Sequence, residues 1–247
     1  MLNLLKNEFY KLKKSKMFYF CLFCIIMQAV VVYCIPDKTL LKSGKEMLRY
    51  ITNVQNGLGT NMVIGVFAAE CIVTEFTSGY IKNLIAYGHK RITIFMSKVI
   101  VYYTSSIIMG LALPIGMMII NTAINGYGEI FDLKAFVHLI GMILIVVVIQ
   151  VGICSLNVFV AFISRSVNIT VIAAIVFDFI NRLINIMVVQ KSSCEWAINH
   201  YVYSQPTIVF SYNVRTRDFI QAIIVSLVTI TITTVVSIYS FNKADIK

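Results

Sequence analysis

Six long apolar runs constrain what this chain can fold into more strongly than any other feature. A transmembrane helix needs about 20 mainly apolar residues, and these runs hold 17 to 28 residues each, separated by polar stretches too short for a second domain. Only 13% of the 247 residues are charged, and the mean hydropathy is +0.84. Lipid requires backbone hydrogen bonds to be satisfied within each segment, so we predict an all-α integral membrane protein with a single transmembrane domain over residues 1–247. The predicted spans are 17–35, 57–73, 99–120, 136–163, 167–189 and 219–241.

The fourth run is longer than a straight crossing needs. Its 28 residues would measure about 42 Å at about 1.5 Å per residue, against a hydrocarbon core of about 30 Å. The helix must therefore tilt, break or project from the membrane. Gln150 and Gly152 mark the place where it is expected to yield.

Lysine and arginine residues predict the orientation of the spans. With an inner N-terminus, the inner segments hold 12 of these residues and the outer segments hold 8, while Arg182 lies inside a span. Five of the 12 precede the first span, and the first helix usually dominates orientation. We therefore predict that both termini are cytoplasmic. The net charge of +10 fits this topology and an anionic inner leaflet, and it does not call for nucleic-acid binding.

The first 16 residues are predicted to form an amphipathic helix in the inner membrane interface. Leu2, Leu5, Phe9 and Leu12 fall within an arc of about 80° on a helix, with most lysines on the remaining circumference. The alternative is a charged flank that only sets the topology.

The segment between the second and third spans is predicted to be a cytoplasmic docking element. Apolar residues recur at helical spacing from Ile81 to Ile92, through Leu84, Ile85 and Gly88, and basic residues occupy most of the other positions. Such a helix would rest its apolar face on the spans and present a basic tip to a soluble partner. The alternative is a positive loop that only fixes topology.

The outer segment 190–218 contains several aromatic residues and Pro206. Tyrosine and tryptophan prefer the membrane interface. The composition leaves two possibilities open, which are short, partly inserted helices at the outer face and an ordinary loop anchored by its aromatic side chains.

The fifth span carries a polar stripe. Asp178 lies about 16 Å into the membrane, and Arg182 follows at the spacing at which a helical acid and base pair. Asn181 and Asn185 extend the same face. The stripe must face protein or water, so it either belongs to a translocation pathway or holds this helix against a neighbour or a second copy of the chain.

The sequence contains no motif for catalysis or metal binding. The phosphate loop G-x-x-x-x-G-K-[ST], H-E-x-x-H and G-x-S-x-G are all missing from it. The six cysteines and three histidines show no metal-ligand spacing, and a disulfide between Cys34 and Cys194 stays open. We expect a non-catalytic protein without its own cofactor, whose transport would draw energy from an ion gradient or from a separate ATPase.

Three parts of the sequence resemble the permease subunits of type-2 ABC exporters. They are the N-terminal LLKNEFYKLKKSK, the run E-x-x-x-G-x-I-K-x-L from Glu75, and the following Lys90, Arg91 and Lys98. The resemblance implies a dimer of permeases, homo- or heterodimeric, each contacting a separate ABC ATPase that binds ATP and Mg²⁺. It assigns ATPase coupling to Glu75, Gly79, Lys82, Lys90, Arg91 and Lys98, within a coupling loop over residues 75–98.

The short outer segments and the lack of a fused nucleotide domain make the chain similar to small bacterial permeases of bacitracin and lantibiotic resistance. That similarity implies a multi-pass protein of the bacterial cell membrane that exports or clears antimicrobial peptides. An ion-coupled secondary transporter that uses Asp178 and Arg182 is the alternative from another class, and a membrane enzyme is disfavoured by the missing motifs.

Overall fold

Helices build the whole of the described chain, as lipid requires of a spanning segment. The computed structural model describes residues 1–34, 42–55, 57–189, 195–211 and 215–243, and within these ranges it contains no β-strand. The helices are α1 Leu2–Lys14, α2 Lys16–Cys34, α3 Gly44–Gln55, α4 Thr60–Ala68, α5 Thr74–Thr77, α6 Tyr80–Ala86, α7 Arg91–Asn125, α8 Leu133–Ser164, α9 Val167–Val189, α10 Glu195–His200, α11 Gln205–Val209 and α12 Thr216–Lys243. A π-helical turn, Ala69–Val73, joins α4 to α5, and a 3₁₀ turn, Val202–Ser204, precedes α11.

The described residues form five or six helical segments that could span a membrane, where the sequence predicts six. Five helical segments of the described chain are long and apolar enough to cross a membrane, and the count becomes six when α1 and α2, which meet at 56°, are taken together as one broken span. The five are Thr60–Thr77, Arg91–Asn125, Leu133–Ser164, Val167–Ile184 and Thr216–Lys243. The chain is therefore an all-helical, multi-pass membrane protein.

Of the three possibilities for the fourth span, a break at Gln150 and Gly152 is excluded, because α8 is a continuous helix of 32 residues. Gly152 permits a close helix contact instead. A Cβ atom at this position would lie 3.1 Å from the Cβ atom of Ser226 on α12. Small residues let helix backbones approach closely in membranes, and α8 and α12 form the most extensive helix contact of the fold.

The third span begins earlier than predicted. Helix α7 starts at Arg91 and runs for 35 residues, so the segment before Val99 belongs to the helix. Pro114 lies within it, as membrane helices tolerate when neighbouring groups satisfy the freed backbone carbonyl.

Helix α3 was not predicted, because its segment contains no long apolar run. At 12 residues it is too short to cross a membrane, and it is strongly amphipathic. Met47 and Ile51 are fully buried on the face that packs against α7, and Gln55 donates a 3.0 Å hydrogen bond to the Gly110 carbonyl oxygen.

Between the fifth and sixth spans, the described residues form short helices, as the first of the two possibilities predicts, and their partial insertion in the membrane stays a prediction. Val202, Tyr203 and Pro206 are buried against α8, α9 and α12. Residues 190–194 and 212–214 of the predicted outer segment lie outside the described ranges, as do the side chain of Cys34 and the whole of Cys194.

An aromatic cluster ties the opposite ends of the helices together. Phe76, Phe95, Phe162 and Phe241 lie on α5, α7, α8 and α12, and their ring centroids are 4.6 to 5.8 Å apart in the contacting pairs. Such edge-on contacts add about 0.5–1.5 kcal/mol per pair beyond area burial. They hold together the ends of α5, α7, α8 and α12, next to the segment from Thr74 to Arg91.

Candidate functional site

Two left-handed glycines bracket a short projecting helix. Gly79 has φ of 75° and turns the chain from α5 into α6, while Gly88 has φ of 84° and turns it toward α7. A residue with a Cβ atom is strained in this region of backbone space, so both turns favour glycine. The helix between them is only seven residues long.

The projecting segment has a buried side and an exposed tip. Ile81 and Leu84 are buried against the spans, as their spacing predicted. The continuation to Ile92 was wrong: α6 ends at Ala86, and the Ile92 side chain is 52% exposed at the start of α7. The exposed residues of this segment form the exposed tip: Lys82, Asn83, Ala86, Tyr87, Gly88, His89 and Lys90.

Four charged side chains connect the base of this segment to α1 and α7. Lys98 Nζ lies 3.2 Å from Glu8 Oε2 and also pairs with Glu75. Lys11 Nζ lies 2.9 Å from Glu8 Oε1 and 3.1 Å from Glu75 Oε1. These four residues form the charge network. It is neutral as a whole, and its members come from α1, α5 and α7.

Burial makes the charge network costly to break. The side chain of Lys98 is fully buried, and those of Glu8 and Glu75 are 4% and 16% exposed. Lys11 also stands 3.6 Å from the centroid of the Tyr80 ring, the first residue of α6. The entrance to the projecting helix is thus held by α1 and α7 together, and Glu75 is already paired within its own chain.

The electrostatics of Lys11 follow from its two acidic partners. Burial alone would lower the pKa of this ammonium group, but Glu75 and Glu8 outweigh it and raise the pKa above the ordinary value. A raised lysine pKa gives stability that is complete below the unfolded pKa of about 10.4 and is lost only as pH rises through the folded value. Lys11 therefore stays charged throughout the physiological range.

Glu8 and Lys11 were missed by the sequence reasoning. The arc drawn through Leu2, Leu5, Phe9 and Leu12 left Glu8 among the solvent-facing positions, whereas α1 buries Leu4 and Glu8 and leaves Leu2 74% exposed. One signal was present in the sequence. Glu8 is the one acid among the first 36 residues, in a segment otherwise rich in lysine.

Arg91 occupies a different place from the tip lysines. Its Nη1 atom donates 2.9 Å hydrogen bonds to the carbonyl oxygens of Phe241 and Asn242, at the end of α12. These are carbonyls that a helix cannot satisfy internally. Arg91 thereby joins the start of α7 to the end of the last helix, while Lys82 and Lys90 project into solvent.

The polar stripe of α9 faces the protein interior in part. Asp178 and Asn181 are 1% exposed, and Arg182 Nε donates a 2.9 Å hydrogen bond to Asp178 Oδ2. Asn181 Oδ1 accepts from the Ser204 hydroxyl at 3.3 Å, which links α9 to the short outer helices. The Arg182 side chain is 43% exposed, and the Asn185 side chain lies outside the described residues.

No metal-binding group is evident in the described ranges, where no three His, Cys, Asp or Glu side chains lie close enough together to hold an ion. The charge network joins the base of the segment that carries the exposed tip to α1 and α7.

The fold and this site define a multi-pass helical membrane protein with a projecting, internally anchored connection between two spans. Comparison with protein families then gives its membership: residues 4–181 match the model of the ABC-2 family transporter proteins. The chain belongs to that family and is a membrane component of an ABC transporter. The match covers α1, the charge network, the exposed tip and the start of the polar stripe. A search of curated proteins gives no match.

Proposed function

We propose that this chain is the permease subunit of an ATP-driven exporter and that a separate ABC ATPase docks on the exposed tip. The observation that carries this proposal is the anchored projection itself. The base of α6 is fixed to α1 and α7 by the charge network, while Tyr87 at its far end is 83% exposed. A segment built in this way transfers movement of a bound partner to α1 and to the long helix α7.

The proposed mechanism assigns no bond chemistry to this chain. ATP binding closes a pair of ATPase subunits, which bind ATP and Mg²⁺ themselves, and the exposed tip moves with them. Glu75 and Lys98 pass the displacement to α7, and Glu8 and Lys11 pass it to α1. Two permeases, identical or related, then rearrange around a central path in the bacterial cell membrane.

Antimicrobial peptides or related amphipathic compounds are the proposed cargo. Support comes from the resemblance to small resistance permeases and from the lack of a large outer domain in the sequence. A gene-deletion strain should be more susceptible to bacitracin or a lantibiotic than its complemented parent. Equal susceptibility to both classes of peptide would remove this cargo while leaving the coupling proposal intact.

The docking proposal is tested by site-specific photocrosslinking. A photoreactive amino acid at Tyr87 should capture a polypeptide that contains a phosphate-binding loop, identified by mass spectrometry. The same amino acid at Tyr19, which is 52% exposed on the apolar helix α2, is the matched control and should not capture it. Capture from Tyr19 alone, or of polypeptides without that loop, would exclude docking at the tip.

Charge reversal at the tip provides a second measurement. K82E/K90E should remove most ATPase copurification, because both lysines are exposed at the tip. K6E/K13E changes two exposed lysines of α1 and should retain the ATPase. Arg91 is left unchanged, because it contacts α12 and its substitution would affect both the fold and any docking.

For the polar stripe we propose a packing role. The Asn181 side chain accepts a hydrogen bond from Ser204 and so ties α9 to the outer helices, while Asp178 pairs with Arg182 on α9 itself. D178N keeps an acceptor for Arg182, so assembly and transport should both persist. Transport lost in a normally assembled D178N protein would instead support a pathway role, and its sensitivity to a protonophore would support the ion-coupled alternative.

A further inference from the structure

A cleft of about 190 Å³ lies in the corner where α1 turns into α2. Its walls come from α1, α4, the π-helical turn, α5 and α7. The charged lining residues are Glu8, Lys11, Glu70 and Glu75, and the apolar ones include Leu12, Phe67 and Val101. The cleft therefore combines charged groups with apolar walls beside the bend between α1 and α2.

Glu70 is the lining residue that the coupling proposal does not use. It lies in the second span, on the π-helical turn, and its side chain is exposed without a hydrogen bond or ion pair to any described residue. A charge within a span is costly and marks a functional site by default, and π-helical turns occur frequently at such sites. The carboxylate is thus available to a ligand.

The charges that line the cleft favour a ligand with a positively charged group. Glu8, Glu70 and Glu75 contribute three negative charges, and Lys11 and Lys98 contribute two positive ones, which leaves an excess of one negative charge. Around the corner at Ser15, by contrast, Lys13, Lys14 and Lys16 are exposed. A ligand with an ammonium group inside the cleft and a phosphate at the neighbouring lysines matches this order of charges.

We propose that this cleft binds the headgroup of an aminophospholipid, with its ammonium group at Glu70 and its phosphate toward the lysines beside Ser15. The acyl chains lie along the apolar walls and the neighbouring spans. The primary ammonium donates hydrogen bonds to carboxylate oxygen, which a choline headgroup of equal charge cannot do. The lipid lies beside the charge network and holds the elbow between α1 and α2 in its bent form. This inference does not depend on the identity of the exported cargo.

The test uses the purified full chain in nanodiscs with equal amounts of phosphatidylethanolamine and phosphatidylcholine. After mild extraction, native mass spectrometry should show phosphatidylethanolamine retained about tenfold over phosphatidylcholine, as one charge-assisted hydrogen bond would give. E70Q should reduce this preference to near parity. E46Q, which removes an exposed carboxylate from α3, is the matched control and should keep it.

Three results would overturn the proposal. The first is equal retention of both lipids by the unchanged protein, and the second is an undiminished preference in a folded E70Q protein. The third is displacement of the lipid by added dodecylamine, which would indicate a site for a bare cation. Photoreactive phosphatidylethanolamine adds a measurement that does not depend on E70Q folding. It should crosslink to residues 1–16 and 60–77, and crosslinks confined to other segments would contradict the site.

Discussion

Single residues in this protein carry the connection between the exposed tip and the spans. The charge network buries Lys98 and Glu8, while Glu75 is 16% and Lys11 39% exposed, and desolvation of the buried charges is repaid only when they are paired. Lys98 is central because it is fully buried and contacts both Glu8 and Glu75. Removing it would leave two buried carboxylates with Lys11 alone.

K98M should lower the free energy of unfolding by about 3–5 kcal/mol, the usual cost of breaking a buried charge pair. Thermal melting in detergent measures the loss. K82M, which removes an exposed lysine of the tip, should melt like the unchanged protein. The double variant E75Q/K98M should recover part of the loss, because it leaves Lys11 with one carboxylate to neutralise in place of two. Similar melting temperatures for K98M and K82M would contradict the structural role of the charge network.

Half of this charge network could be found from the sequence. Glu75 and Lys98 fall on positions singled out by the resemblance to type-2 permeases. Glu8 and Lys11 could not be found by helical periodicity, because the buried face of α1 contains a carboxylate and that method looks for apolar residues. Pairing across 64 and 90 positions of the chain is set by tertiary structure and leaves no local pattern.

At the level of secondary-structure elements, the direction of α6 depends on the left-handed conformation of Gly79. A Cβ atom there would meet nothing within 4 Å, so space is not the constraint. The conformation itself costs about 1–2 kcal/mol for any residue that carries a Cβ atom. Backbone geometry thus fixes the angle at which the exposed tip leaves the spans.

G79A should destabilise the protein by about 1–2 kcal/mol and weaken ATPase binding, since relief of the strain would turn α6 away. G116A is the matched control: Gly116 lies within α7, also with open space around it, and alanine is preferred there by about 0.5–1 kcal/mol. Melting temperature and ATPase copurification are the two readouts. A G79A protein that is as stable and as competent as G116A would show that the left-handed turn does not set the direction of the tip.

The connection between α7 and α12 makes a separate prediction. R91Q removes the guanidinium that bonds the carbonyls of Phe241 and Asn242, so the last turn of α12 should fray. Hydrogen exchange at amides 239–243 should become about tenfold faster, the effect of losing roughly 1.4 kcal/mol of local stability. K90Q changes the adjacent exposed lysine and should leave exchange unchanged. Equal exchange in the two variants would mean that the cap does not hold α12.

For the molecule as a whole, apolar runs predicted the spanning segments well because length and composition decide whether a helix crosses lipid. They did not predict α3, whose amphipathic face is buried by contact with α7, nor the continuity of α8 through Gly152. A glycine within an apolar run is compatible both with a break in the helix and with a close contact between two helices. Only the position of Ser226 on another helix distinguishes the two.

The number of spans determines where the two ends of the chain lie. Six crossings place both termini on one side of the membrane, whereas five would place them on opposite sides, and the difference rests on whether α2 crosses after the 56° bend. The 12 to 8 distribution of basic residues predicts that both ends and the exposed tip lie inside. Four exposed lysines mark α1, the exposed tip, the start of α8 and the end of α12, namely Lys6, Lys90, Lys134 and Lys243.

Cysteine variants at these four lysines should separate the two topologies. With a membrane-impermeant maleimide on intact cells, K134C should be labelled above the background of the native cysteines, and K6C, K90C and K243C should be labelled only after the membrane is opened. Labelling of K6C in intact cells, with K243C still protected, would show that α2 does not complete a crossing. Labelling of K90C in intact cells would place the exposed tip outside, where no ATP-driven partner could reach it.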